Sequence, residues 1–257
     1  MRIQTVIREG LQRAGVYVTR FPPHHMASRL LQDLFQEHRI NVVLDVGGEL
    51  GHYCTMLRKE VGYKGLIISF EPCAESFQLL KSARSKDKNW RGYQFGLGTK
   101  DGTAQLNRYN ERGFNSLLNL REETAAPYGV EVSSQVENVQ IRRLDTVWDE
   151  IMTDIRSPNV FLKTDTQGMD IPIVSGAASR LHCVYGIQCE LPTIEMYEGM
   201  VPLPEALQFL RNLGYLPAGF YPQAERAAFG VAPEFDVVFK RPKSQAFLTR
   251  TRDCPSV

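Results

Sequence analysis

The sequence predicts an α/β chain built on a doubly wound, mostly parallel sheet. Three observations carry this. Two apolar runs, Val42-Val43-Leu44 and Val160-Phe161-Leu162, each lead into an acid, a glycine turn and a helical pattern. Two more short apolar runs, Leu66–Phe70 and Val184–Cys189, also end at an acid. Continuous apolar runs of this length suit strands covered on both faces, as parallel sheets require. The last two runs, Tyr215–Tyr221 and Phe235–Lys240, read as a closing antiparallel pair.

Taken in order, Ile3, Val6, Ile7, Leu11 and Ala14 share one helical face. Pro22-Pro23 breaks the chain, with His24 and His25 expected in the loop. Met26–His38 resumes as a helix with Leu30, Leu31, Leu34 and Phe35 inward. Residues 1–40 are therefore expected to form an N-terminal helical cap, covering a sheet edge or acting as a lid over a substrate. After Val42–Leu44 comes Asp45, then a turn containing Gly47, Gly48 and Gly51. Glycine lets such a turn close sharply and lets a ligand approach the main chain. Tyr53–Glu60 reads as a helix, Leu66–Phe70 as the second strand ending at Glu71-Pro72, and Ala74–Ala83 as a helix. Trp90–Phe95 is a third strand ending at Gly96-Leu97-Gly98, a tip an adenine ring can approach closely.

Lys100-Asp101-Gly102-Thr103 signals a turn, and Thr103–Tyr109 alternates like a hairpin strand. Asn110–Gln135 is the least periodic stretch and is expected, with the N-terminal helices, to flank an acceptor. Val139–Leu144 is strand-like and ends at Asp145, before a short helix over Thr146–Met152. Ile171–Leu181 reads as a helix because Pro172 is tolerated in a first turn. Leu203–Leu213 is a helix stopped by Gly214. Residues 41–241 are read as one domain and 242–257 as a polar tail.

Composition narrows the function classes. The 257 residues suffice for one large-cored α/β domain. A net charge of +1, without a long basic run, leaves no electrostatic footprint for nucleic acid. Cys54, Cys73, Cys183, Cys189 and Cys254 form no CxxC pair and read as reduced thiols of a cytoplasmic protein. Met1–Gly15 is interrupted by Arg2, Arg8, Glu9 and Arg13, so no signal peptide is expected. No apolar run approaches membrane-spanning length, so no membrane partner is expected.

The glycine turn discriminates between ligands. Gly47-Gly48-Glu49-Leu50-Gly51 lacks the G-x-G-x-x-G spacing of a dinucleotide fingerprint. It also sets Asp45 and Glu49 where phosphates would lie. Both acids instead suit a ligand with a cationic end and no phosphate, such as S-adenosylmethionine. Glu71, twenty residues after Gly51, is placed to grip both ribose hydroxyls. A nicotinamide-dependent oxidoreductase is the weaker alternative on the same sheet.

These motifs together resemble the FkbM family of S-adenosylmethionine-dependent methyltransferases, over roughly residues 40 to 240. The family's cradle is matched by Asp45, Val46, Gly47, Gly51 and Tyr53, and its F-E-P by Phe70, Glu71 and Pro72. Its N-S-L is matched by Asn115, Ser116 and Leu117, its L-D by Leu144 and Asp145. Its most specific signature is matched by Leu162, Lys163, Asp165 and Gly168, followed by Gly176-Ala177. Glu49 stands where the family usually has Asn; Gln167 and Asp170 stand where it usually has glutamates. The resemblance implies a Rossmann-like class I methyltransferase sheet. It also implies O-methylation of a hydroxyl on a sugar, polyketide or other secondary metabolite. Cofactor contacts are expected from Asp45, Gly47, Gly48, Glu49, Gly51, Tyr53, Glu71, Pro72, Ser116 and Asp165.

Methyl transfer to a hydroxyl needs in-line alignment and loss of a proton. In a sheet of this type the strand ending at Asp165 lies beside the first strand, so its tip faces the methyl. Lys163, two residues back, is on the same face. Asp165 is the expected proton acceptor, with Glu190 as partner. The same pair is a candidate for a divalent ion, but neutral Gln167 withholds a third negative ligand and no metal is expected. The bland alternative is a structural Lys163–Asp165 ion pair. His182 is read as a cap or core histidine before it is read as a base. A catalytically silent binding protein is the competing function class; Gln167 favours it, while intact Asp45, Glu71, Lys163 and Asp165 oppose it. The expected partner is a small-molecule alcohol.

Overall fold

The computed structural model describes residues 24–132, 135–223 and 230–242. The helix expected over residues 3–14 and the tail beyond residue 242 lie outside them. In chain order the first elements are α1 (His24–Glu37), β1 (Val42–Val46), α2 (His52–Met56, continued as a π turn over Leu57–Val61) and β2 (Leu66–Phe70). Next come α3 (Ala74–Arg84), β3 (Trp90–Tyr93), β4 (Gly96–Leu97), β5 (Gly102–Arg108) and a short α4 (Glu122–Ala125). Then follow β6 (Gln135–Arg142), α5 (Leu144–Ile151), β7 (Val160–Thr164), α6 (Asp170–Ser175) and β8 (Val184–Pro192). The described chain closes with α7 (Leu203–Asn212), β9 (Leu216–Pro222) and β10 (Glu234–Lys240).

Seven strands form the main sheet in the order β3-β2-β1-β7-β8-β10-β9. It is parallel from β3 to β8, and β10 runs antiparallel to both its neighbours. This is the Rossmann-like class I arrangement, doubly wound, with an antiparallel closing strand. β1 is central: Leu44 sits between Ile68 and Leu162. Its alternation splits the core. Val42, Leu44 and Val46 pack with α5, α6 and α7 on one face, whereas Val43 packs with α1 and α2 on the other. Burying these four side chains stabilises the fold by at most roughly 6–12 kcal/mol, so the tips of β1 and β7 rest on rigid strands.

α1 is one of the covering helices. Leu31, Leu34 and Phe35 pack on Val43, Phe161 and Val238 across the sheet face. His24 and His25 open this helix instead of lying in a loop. A second, three-stranded sheet, β4-β6-β5, stands beside the main one. It changes two expectations. β6 starts at Gln135, because its partner is β5 and not a main-sheet strand. Asp145 falls in the first turn of α5 instead of at a strand tip; its N–H donates to the Gly176 carbonyl, and its carboxylate accepts from the Ser179 N–H.

The helix expected through Leu181 stops at Ser175. Gly176 comes so close to the small sheet that a Cβ there would lie 2.1 Å from the Gly98 carbonyl oxygen. β8 continues to Pro192, opposite Glu234 of β10, so Glu190 lies within the strand instead of beyond its tip.

Candidate active site

The carboxyl ends of β1, β2, β7 and β8 open onto a cavity of about 240 Å³. Gly47 and Glu49 reach it from β1, Glu71 and Pro72 from β2, Asp165 to Gln167 from β7, and Glu190 from β8. Leu97, Leu106 and Ile141 of the small sheet make an apolar wall with Pro72 and Leu117. Asn115 and Ser116 also line it, so the aperiodic segment contributes to the site. Among the described residues, α1 contributes none of the lining.

The β1 turn is held from two sides. The Gly47 and Gly48 N–H groups donate to the Phe70 carbonyl, and the Glu49 N–H donates to Glu71 Oε2 at 2.9 Å. Gly47 has φ +77°, and a Cβ there would lie 1.9 Å from the Asp165 carbonyl oxygen. Only glycine meets both conditions. Glu71 Oε1 also accepts from the Cys73 N–H at 2.9 Å. Burial pushes the Glu71 carboxyl up to about 7, against the pull of the two N–H groups.

Five of the expected site residues stand behind the cavity wall. Asp45 is fully buried; it accepts from Ser69 Oγ at 2.8 Å and pairs with Lys163 Nζ at 3.4 Å. Gly48 and Gly51 pack on Leu80. Tyr53 donates its hydroxyl to Gln188 Oε1 at 3.0 Å, with Lys163 Nζ 5.2 Å from its ring centroid. Lys163 is buried and also reaches Asp165 Oδ2 at 3.3 Å and the Gly47 carbonyl at 3.2 Å. Burial alone would depress its ammonium, but the Asp165 and Asp45 carboxylates outweigh it and hold the charge. Lys163 thus joins the β1 turn to the β7 turn from below. The reason for this placement is the pleat: Asp45 shares its side of β1 with Val43, not with Val46.

Asp165, Glu190 and Gln167 meet on the cavity side. Gln167 Nε2 donates to Glu190 Oε2 at 2.6 Å and to Asp165 Oδ1 at 3.4 Å. Its Oε1 accepts from Tyr197 Oη at 2.9 Å. Its main-chain carbonyl accepts from Ser116 Oγ at 2.7 Å, which places the N-S-L serine in the site as a brace. Among the described residues no group of three or more His, Cys, Asp or Glu is placed to hold a metal ion. The space between the two candidate carboxylates is taken by the Gln167 amide, so the arrangement does not fit a metal there. His182 sits away from this cluster, with Nδ1 2.9 Å from the Ser179 carbonyl oxygen.

The architecture, the cradle and the signature residues decide the family. Residues 45–217 match the profile of the Methyltransferase FkbM domain. The chain belongs to the FkbM methyltransferase family. Its cofactor is S-adenosylmethionine. The cavity has the chemistry for that group: Pro72, Leu97, Leu106 and Ile141 line it with apolar surface, and Glu49, Glu71 and Asp165 line it with carboxylates. No curated protein matches the methyltransferase by sequence. Among solved structures, a Bacillus cereus O-methyltransferase in complex with SAH is 10% identical, covers 91% of this chain and 88% of its own, and has a TM-score of 0.46. Aeropyrum pernix fibrillarin, with natively bound S-adenosyl-L-methionine, is 9% identical, covering 83% and 73% at a TM-score of 0.45. Human methyltransferase 10 domain containing protein is 9% identical, covering 95% and 97% at a TM-score of 0.46.

Five contributors were not anticipated. Leu106 and Ile141 are inward-facing positions of half-buried strands, a period-two signal present in the sequence. Tyr197 lies in a stretch without periodicity or motif. Asp236 of β10 accepts from Gln223 Nε2 at 2.6 Å, and Gln223 lines the cavity. Burial, with Asp165 nearby, pushes the Asp236 carboxyl up to about 7. No helix among the described residues is long and apolar enough to cross a membrane.

Proposed function

We propose that this methyltransferase transfers the methyl group to a hydroxyl of a small-molecule alcohol, such as a sugar or another secondary metabolite. The observation that carries this is the meeting of Asp165 and Glu190 in the cavity that also holds Glu71 and the Gly47–Glu49 turn. When bound, S-adenosylmethionine supplies an electrophilic methyl on its sulfonium. The residues that would hold it are Glu71 at the ribose, the Gly47–Glu49 turn at the methionine portion, and Pro72, Leu97 and Ile141 at the adenine. Asp165 accepts the hydroxyl proton as the acceptor oxygen takes the methyl. Lys163 Nζ, 3.3 Å from Asp165 Oδ2, holds the carboxylate in place beside the cavity. Glu190 orients the acceptor, and the enclosing walls hold it in line. Residues 41–241 would form this catalytic domain, with residues 1–40 as a helical cap.

The test is transfer of labelled methyl from S-adenosylmethionine to a panel of alcohols by wild type and D165N. The substitution keeps the shape and removes the charge. Turnover should fall by at least about a hundredfold, within the range for general base catalysis, while cofactor affinity stays within about twofold. Chelator should leave the wild-type rate unchanged. Full activity in D165N would return Asp165 to a purely structural pair with Lys163.

A further inference from the structure

We propose that Gln167 is the positioning residue of the acceptor site, an uncharged amide bridge standing where a divalent cation would otherwise join two carboxylates. The inference rests on the reading of Asp165 and Glu190 as the acceptor-facing pair. Two carboxylates on one cavity wall repel each other, and most sites relieve this with a shared proton or a cation. Here the Lys163 ammonium already offsets Asp165 from below at 3.3 Å, and on the cavity side the Gln167 Nε2 group joins the pair, with one N–H directed to Glu190 at 2.6 Å and one to Asp165 at 3.4 Å. The orientation of the amide is fixed by Glu190, whose carboxylate accepts and cannot donate. Tyr197 Oη is within hydrogen-bond distance of both Gln167 Oε1 and the Phe114 carbonyl oxygen. A reversed amide would put oxygen against the Glu190 carboxylate at 2.6 Å, which is repulsive.

The backbone of Gln167 supports the same role. Its φ is +52°, a left-handed conformation that a non-glycine residue adopts only under constraint. Ser116 Oγ pins its carbonyl at 2.7 Å and also accepts from the Leu118 N–H at 3.0 Å. Side chain and main chain are thus both anchored, and Gln167 is buried. The bridge therefore couples the segment around Phe114–Leu118 to the spacing of the two carboxylates. An acceptor that shifts that segment shifts the pair.

The bridge is tested by making it acidic. Q167E is nearly isosteric and sets a third carboxylate oxygen beside Glu190, so the cluster then demands a proton or a cation. Manganese and magnesium alone are titrated into the full-length, cofactor-free protein by calorimetry and thermal shift. Wild type should bind neither. Q167E should bind manganese and gain several degrees of melting temperature. Its turnover should be at least about tenfold lower in chelator and recover on adding the ion, the loss expected for one charge-assisted contact. Q167L keeps the volume without the donors; its kcat should fall by about tenfold or more while the cofactor KM stays within about twofold, with no recovery by cation. Wild type that binds manganese at this site, Q167E that binds no cation and turns over normally in chelator, or Q167L with an unchanged kcat would each overturn the bridge. Cation binding by Q167E is read without any reaction, so it stands apart from D165N, whose full activity would sink the catalytic reading instead.

Discussion

Cofactor affinity should fall on mild acidification, and Glu71 should be the cause. Burial pushes its carboxyl up to about 7, outweighing the two backbone N–H groups that it accepts from. Ribose hydroxyls are gripped best by the ionised form, which must be produced before binding. With a carboxyl near 7 the ionised fraction is about nine-tenths at pH 8 and about one-tenth at pH 6, so affinity should weaken about tenfold between them. That is about 1.4 kcal/mol. Calorimetric titration of S-adenosylhomocysteine across this range reads it directly. E71Q should bind weakly at every pH with a flatter profile; the ligand's own amino group titrates in both proteins, so the difference isolates Glu71. A flat wild-type profile, or the same slope in E71Q, would refute the ribose role.

The cofactor-free fold should respond with the opposite sign. Glu71 at about 7, Asp236 at about 7 and Asp170 at about 6 all hold their protons more tightly folded than unfolded, chiefly through burial. Such carboxyls destabilise the fold as pH rises through the window from their unfolded values to about 7. The melting temperature without cofactor should therefore be higher at pH 6 than at pH 8, and the reverse order would contradict these placements. G47A should be severe. Left-handed backbone costs an alanine roughly 1–2 kcal/mol, and the clash with the Asp165 carbonyl roughly 1–3 more, for a melting loss of roughly 4–20 °C. Calorimetric melting within about 2 °C of wild type would show that the two turns separate easily.

The sheet was legible because its central strands are short, unbroken apolar runs covered on both faces. Val42–Leu44 and Val160–Leu162 read as strands with no knowledge of their partners. The turn residues were legible as well, since glycines and acids at strand tips have few other reasons to occur together. What sequence could not settle was which way each acid points. Asp45 and Glu71 both terminate apolar runs, yet Asp45 turns into the core beside Val43 while Glu71 faces the cavity. That difference depends on pleat register and on Lys163, more than a hundred residues away. The small sheet was legible only in part: β5 alternates, but β6 pairs with it in a half-exposed ribbon where only Val139 and Ile141 are buried, so its first half gives no signal. Gln167 was visible as a departure from the family signature, but its bonds to Ser116 and Tyr197 join three distant stretches that no local pattern connects.

The interlocking of the β1 and β7 turns bears on how this protein can be rebuilt. The Asp165 N–H donates to the Val46 carbonyl, Lys163 reaches the Gly47 carbonyl, and Gly47 leaves no room for a side chain against Asp165. Residues 45–48 and 163–168 are therefore one part in two pieces. A chimera that imports the first turn from a relative and keeps the second inherits a mismatched seam. Directed evolution that randomises either turn alone should yield mostly misfolded clones, whereas libraries that vary both together should retain soluble members. New acceptor ranges are better sought at Asn115 and Leu117, which line the cavity, with Ser116 and Leu118 kept because they hold Gln167 and pack on Gly168.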